Sequence, residues 1–508
     1  MKKLAGLVVI IAVLVLGSYF GMGLVTERTL KRSIEIANHS TGLTMSVDKY
    51  QRHWFSSSAI LDIKLHVPER EVINADGKHE LVAAQDYMFN VPVVIQHGPI
   101  IYSDNGVLFG LGYAQSNIHL PQQMMDSLAS NFAPESTQPK FKLNMFVNYL
   151  NQSRFEIQVP TFKLVFKEGA GEADWQGLKG EMHVSSNLKN FNGNFTLSGI
   201  KVTKDKMSAV LSSVTSDYIV HKTNEGLYLG QAGFSVPSLV VTEDGKTLFD
   251  LSLFKARTES SITKGLFESN FKTSFEKIIS NDKQYGPGLL EVSIKNLDAK
   301  VLAHLNDQAN KLKASSATER QQIMFSMLPE LPKLFSQGAG FEVSTLKLTV
   351  PEGDIDGHFA LSLPKSENVN PFQIMQKVEG DGKIQLPSAV VKKLLVQSLL
   401  QKASAMTSPQ SKVMPQLEQK DSQNASTPVE KRGEVAQGSP VNQENAVPGN
   451  DTADKTQQAM VEADKKLAAL VEAKVLVEQG QNYVVEFHLS GGKLNINGQP
   501  FDPNAFKI

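Results

Sequence analysis

The side chains with the greatest chemical reach are dispersed along this chain. Eleven histidines run from His39 to His488 with no His-Glu-x-x-His, no His-x-His and no carboxylate run at ligand spacing, so a metal site has no support. Cysteine is absent, which removes thiolate ligands, thiol nucleophiles, disulfides and lipidation of an N-terminal cysteine. Ser-x-x-Lys occurs at Ser198–Lys201, Ser252–Lys255, Ser280–Lys283 and Ser362–Lys365, as chance gives in a Ser- and Lys-rich chain, and the partner motifs of that acyl-transfer chemistry are missing. There is no phosphate loop and no Gly-x-Ser-x-Gly elbow. Gly110–Leu111–Gly112 lacks the third glycine and the acidic partner of a dinucleotide fold. The expectation is a protein that is not an enzyme and takes no cofactor and no nucleotide.

Three local groups remain. Arg52, Trp54 and Phe55 set an aromatic pair beside a cation, which could grip a ligand by stacking or hold lipid headgroups. The alternative, and the reading preferred, is a strand start where the two rings cover the end of a β core and Arg52 pairs locally. His97, before Gly98–Pro99, reads as a turn residue rather than an acid or base. Trp175, between Asp174 and Gly177, reads as a hairpin anchor with its ring on the core face.

What must position these residues is a long chain of 508 residues with a formal net charge of -1, too long for one ordinary core and without the basic surplus that nucleic acid requires. From Leu4 to Val25 no residue is charged, and roughly 20 helical residues suffice to cross the hydrocarbon core. At about -0.4 kcal/mol for each Leu, Ile, Val or Phe in that stretch, insertion is favoured by on the order of 5 kcal/mol. An uncleaved anchor is preferred over a cleaved signal peptide, because no Ala-x-Ala-like site follows and the apolar run continues past Gly17. Lys2 and Lys3 before the segment are answered by Arg28, Lys31 and Arg32 after it, so charge does not orient it. The signal-anchor layout leads to the expectation that the remainder lies outside the cytoplasm, in the periplasm, with the inner-membrane bilayer as partner, and the cysteine-free body permits an oxidising compartment there.

Residues 26–40 keep helical spacing and read as a stalk. Beyond it, Ala59, Leu61, Ile63, Leu65 and Val67 alternate with polar neighbours, the period of a strand with one buried face. Similar runs recur at Phe162–Phe166, Phe195–Leu197, Leu346–Val350, Phe359–Leu363 and Tyr483–Leu489, with Gly98–Pro99, Gly177, Gly180, Pro351–Gly353 and Gly491–Gly492 as hairpin punctuation. Helices are predicted over Leu297–Leu312, over Ile323–Phe335 with a break at Pro329 and Pro332, after Pro387, and from about Thr452 to Val477, with shorter pieces over Gln122–Phe132 and Phe141–Leu150. Ser404–Asp451 is filled with Gln, Ser, Asn, Pro, Lys and Glu and is expected to be a disordered insert. The organisation expected is 1–40 anchor and stalk, 41–295 β-rich domain, 296–403 helical pair, strands and amphipathic helix, 404–451 insert, and 452–508 helix and terminal strands. The fold class is mainly β (α+β), antiparallel and elongated.

Tyr50–Ala59 (Tyr-Gln-Arg-His-Trp-Phe-Ser-Ser-Ser-Ala), Gln96–Ile100 (Gln-His-Gly-Pro-Ile), Gly171–Gly180 and Lys493–Gly498 together resemble the YdgA-like family of uncharacterised bacterial envelope proteins. The resemblance implies one N-terminal membrane helix and a large periplasmic domain, and carries no catalytic residues. A more distant similarity, of architecture alone, is to AsmA-like envelope proteins, associated with phospholipid traffic through an elongated β groove. The leading expectation is therefore a non-enzymatic, membrane-anchored protein that binds an apolar ligand such as lipid. The alternatives are a scaffold or assembly factor acting through protein contacts, as a homo-oligomer or with an envelope partner, and an envelope-polymer hydrolase. The one-sided strands either pair as a second sheet or leave an apolar trough, lined in that case by Leu61, Ile63, Phe162, Leu164 and Phe195.

Overall fold

The computed structural model describes residues 2–38, 43–67, 70–73, 79–104, 106–314, 317–366, 374–407 and 450–501. The protein is mainly β, built on antiparallel pairings, and its chain divides into two units: Met1–Lys383 with Phe487–Leu494, and Ile384–Glu486 with Asn495–Ile508.

The first unit opens with one continuous helix, α1 (Lys2–Asn38), which contains the segment Leu4–Val25. The side chains of residues 2–13 lie outside the described ones, and among the described residues no helix is long and apolar enough to cross a membrane. Then come β1 (Leu43–Arg52), β2 (Ser56–Val67), β3 (Arg70–Ile73), β4 (His79–Val82), β5 (Gln85–His97), β6 (Ile100–Ser103), β7 (Gly106–Phe109), β8 (Gly112–Ile118), α2 (Gln122–Asn131), β9 (Phe141–Val147) and β10 (Ser153–Val159). β1, β2, β5, β8, β9 and β10 pair in that order, each antiparallel to the next. The alternation read at Ala59–Val67 is the inner face of β2. Ala59 joins Val91, Val93 and Ile95 of β5 in a buried cluster, against which Leu61, Ile63 and Leu30 of α1 pack. The helix expected over Phe141–Leu150 is instead the strand β9. Phe141, Leu143, Met145 and Val147 alternate with Lys142, Asn144 and Phe146, and ladders on both sides (β8 and β10) settle a segment whose apolar positions also fit a helical period.

From β10 onward the strands run in two panels joined along a seam. On one side 153–159, 178–184, 190–197, 214–222, 228–236, 254–263, 266–275 and 288–298 pair in sequence. On the other, 162–165, 171–175, 200–204, 207–211, 238–243, 246–252, 277–280 and 283–285 pair in sequence. Six passages between panels leave the strand at the same level, at Pro160–Thr161, Gln176–Gly177, Ser198–Gly199, Ser212–Ser213, Glu276 and Gly286–Pro287, while the strands 228–243 and 246–263 run through it unbroken and only the pair Pro237 and Leu253 drops out of their ladder. Gly177 (φ 105), Gly199 (φ 148) and Leu253 (φ 53) have positive φ, and a proline or a left-handed residue inside a strand turns its direction, so the seam is where the sheet bends. Local bonds hold it: Gln176 N–H to the Gly199 carbonyl at 3.0 Å, Ser198 N–H to that of Gly177 at 2.8 Å, and Ser212 N–H to that of Ser238 at 2.9 Å. Gly180, read as turn punctuation, sits inside Leu178–Val184, where a Cβ would lie 2.3 Å from the Phe195 ring.

The helices Ala299–Ala314, Ala317–Met327 and Leu331–Phe335 follow, with a 3₁₀ turn over Leu328–Glu330 at the break expected from Pro329 and Pro332. They bury Leu305 and Leu334 against Leu297 and Ala339. Among the described residues, none of the buried hydrophobic clusters includes a residue from the strands between Phe141 and Lys222.

In the second unit, helices Ser388–Thr407 and Asn450–Glu472 pack together, linked by Lys392 and Asp464 at 2.6 Å. Leu467, Leu476 and Tyr483 are buried with Val391, Leu395 and Leu470 around them. The expected insert 404–451 lies outside the described residues apart from its ends, which belong to these two helices.

Candidate functional site

Two places gather the residues singled out in the sequence. The first is the seat of α1. The turn between β1 and β2 carries Trp54 and Phe55, closed by the His53 N–H bonding to the Ser56 carbonyl at 2.8 Å. The segments Tyr50–Ala59 and Gln96–Ile100, distant in sequence, meet here: the His97 N–H bonds the Phe55 carbonyl at 2.9 Å, and His97 Nε2 lies 2.9 Å from Ser57 Oγ. Tyr50 donates its hydroxyl proton to Ser57 Oγ at 3.0 Å. Ser57 and His97 are each 1% exposed, so this pair has no access for a substrate and serves as a support. Burial pulls the His97 imidazole below its ordinary value of 6.5; the Trp54 backbone, which favours the charged form, offsets part of this, and Arg52 adds to the lowering.

Helix α1 rests on that support. Gly23 is the closest approach, because a Cβ there would stand 2.7 Å from His97 Cε1 and 2.8 Å from Nδ1. Gly98 faces a second one: a Cβ would fall 1.6 Å from the Gly110 carbonyl oxygen and 3.2 Å from Met22 Sδ, which explains glycine in Gln-His-Gly-Pro. Arg52 lies over the Phe20 ring at 4.9 Å and pairs with Glu27 at 3.6 Å. Tyr19 meets Phe55 edge-on at 5.0 Å, and Phe20 lies 5.6 Å from Trp54. Arg52 thus takes its partners from α1 rather than from its own strand or turn. The rings of Trp54 and Phe55 remain 51% and 54% exposed.

The second place is a cleft of about 640 Å³ between α2, β5 and the strand Phe162–Val165. Phe162 and Leu164 line one wall, Met124 and Leu128 of α2 the other, with Leu120 and Tyr87 beside them and Gln85, Gln123 and Ser127 at the margin. Met124 and Leu128 are one helical turn apart, and α2 buries no residue fully, so its apolar stripe faces the cleft instead of a core. Phe162 stacks on Trp175 at 5.7 Å, and Trp175 Nε1 is buried without a hydrogen-bond partner among the described residues. Of the residues expected to line a trough, Phe162 and Leu164 come together here. Leu61 and Ile63 pack on the buried cluster of β2 and β5, and Phe195 stacks on Tyr218 at 6.3 Å on the other panel. Sequence reasoning missed α2 and Tyr87 as lining. The Met124/Leu128 spacing beside an otherwise polar helix was the available signal.

Among the described residues no group of His, Asp and Glu is placed to hold a metal ion. No curated protein and no solved structure matches the chain. One family model does, that described as "Bacterial protein of unknown function (DUF945)", over residues 1–504.

Proposed function

The chain belongs to that family, and from this premise we propose that it is a YdgA-like, non-enzymatic envelope protein, anchored in the inner membrane by α1, whose periplasmic β body binds an apolar ligand such as a lipid chain. The observation that carries the reading is the cleft walled by Phe162, Leu164, Met124 and Leu128, where neither α2 nor the strand Phe162–Val165 contributes a residue to a buried cluster. Its volume of about 640 Å³ falls in the range of roughly 300–1,000 Å³ usual for small-ligand sites. The anchor is supported by the uncharged Leu4–Val25 stretch in one unbroken helix.

Photo-activatable phospholipid fed to cells tests the ligand. Cross-links are expected on α2 and Phe162–Val165 of the wild type, and their loss is expected in Leu164→Asp, whose circular dichroism should be unchanged because the position is only half-buried. Cross-links confined to α1 in the wild type would overturn the cleft as a lipid site. A reporter active only in the periplasm, fused after Ile508, tests the topology: silence there, with an active cytoplasmic reporter, would reverse it.

A further inference from the structure

At the level of Tyr19 and Phe20 the helix lies beside a group of apolar side chains that stay exposed among the described residues. The hairpin of β6 and β7 is apolar on both faces. Ile101 is buried at 1% exposure, while the cross-strand pairs Ile100–Phe109 and Tyr102–Val107 present 36%, 63%, 71% and 50% of their surface. Polar bonds tie the hairpin to the helix and to the neighbouring loop: the Tyr19 hydroxyl donates to the Ile100 carbonyl at 2.7 Å, and the Tyr149 hydroxyl to that of Pro99 at 2.6 Å. Tyr149 and Leu150 are 50% and 71% exposed. With Trp54 and Phe55, which touch Phe20 and Tyr19, they make an aromatic and aliphatic collar beside α1 at this level.

We propose that this collar is a bilayer-docking surface that sits in the lipid interface on the body side of the membrane. The inference rests on the anchor reading and goes beyond it, because a tether alone would leave the body free of the surface. The occupant follows from continuity. The uncharged stretch of α1 leads directly out of the collar, so whatever surrounds Leu4–Leu16 also reaches Trp54, Phe55, Tyr102 and Phe109. Helix length agrees. Met22, Gly23 and Thr26 pack on Gly98, His97 and Gly112, which leaves Leu4–Phe20 for the membrane. At 1.5 Å per residue that is about 25 Å, close to the hydrocarbon thickness of about 30 Å. Lys2 and Lys3 would then lie at one boundary, and Tyr19, Phe20, Trp54 and Tyr102 at the other, where amphipathic rings are favoured.

The test uses the full chain reconstituted in phosphatidylcholine/phosphatidylglycerol vesicles carrying bromine at known acyl depths. Trp54 and Trp175 are the only tryptophans, so Trp175→Phe isolates Trp54, and the difference between wild type and Trp54→Phe reports the same signal should Trp175→Phe fold poorly. A second reporter is Tyr102→Trp in the Trp54→Phe background. Emission from both reporters should be quenched most by bromine near the carbonyl end of the chains, with a blue shift relative to aqueous tryptophan. Retention of the chain in carbonate-washed vesicles with either reporter unquenched overturns the docking surface while leaving the anchor standing. Release of the chain by carbonate overturns both.

Discussion

Seating α1 on His97 predicts that Gly23→Ala loosens the helix from the body although alanine is the better helix former. The added methyl would meet the ring at 2.7 Å, roughly 1 Å inside ordinary carbon contact, and the ring cannot retreat: His97 is 1% exposed and its Nε2 is bonded to Ser57. Overpacking of this kind costs about 1–3 kcal/mol. Gly21→Ala is the control. It lies on the same helix with nothing within 4 Å of its added methyl, so the helix-propensity gain of about 1 kcal/mol is common to both variants and cancels in their comparison. The difference between them is therefore the clash itself, about 5- to 150-fold in the local opening equilibrium. Hydrogen exchange read by mass spectrometry on peptides from β2 and β5 measures it, since both strands lie under the helix. Equal protection in Gly21→Ala and Gly23→Ala would show that α1 does not rest on this support.

Because burial depresses the His97 value from 6.5, the folded state favours the neutral ring; its stabilisation is present above about pH 6.5 and is lost as pH falls through the lower folded value, the unfolded chain binding more protons there. Protection of β5 should fall between pH 7.5 and 5.5 in the wild type and change less in His97→Gln; an unaltered slope would remove His97 as its source. Glu27 is shifted down from 4.5, chiefly by its hydrogen bond to Lys31, so its own contribution is present above that value and fades only in more acidic solution. In the second unit Asn497 accepts the Glu486 N–H at 2.8 Å and donates to the Lys474 and Val475 carbonyls at 3.0 Å each, so Asn497→Ala should cost about 1–3 kcal/mol in thermal or urea unfolding, and a loss below about 0.5 kcal/mol would contradict that bonding. Gly199→Ala, at φ 148 with a Cβ 2.9 Å from the Leu211 carbonyl, should destabilise the panels by about 1–3 kcal/mol, and unchanged stability would mean that the seam does not fix this backbone.

Strand and helix periodicities were legible wherever one pattern stood alone, as at Ala59–Val67 and in the helix after Pro387. They misled at Phe141–Val147, where Leu143, Phe146 and Val147 fit a helical spacing as well as a strand, and only the ladders to β8 and β10 decide. The phrases around Trp54 and His97 stood out as residues, but their contact spans 40 positions, and no local rule brings Ser57 to His97. Gly177 of the seam was visible as well. Read singly, it looks like a hairpin end; what puts it in line with Gly199 and Gly286 is the register of the panels, a property of pairing that no one strand holds. The cleft was half legible: Phe162 and Leu164 announce an apolar face, whereas α2, which supplies the opposing wall, looks like an ordinary short surface helix until its stripe is seen to lack a core.

A hydrogen-bonded sheet resists stretching across its ladders and shearing along its strands, and in this one six of the eight passages from 160 to 287 leave the strand at the same level, while 228–243 and 246–263 cross it unbroken. The two through-running strands tie the panels together across that level, and bending there is confined to the six remaining passages. On the reading proposed above, the apolar face offered to a lipid chain would follow from that bend, with Phe162 and Leu164 opposing α2 at the cleft.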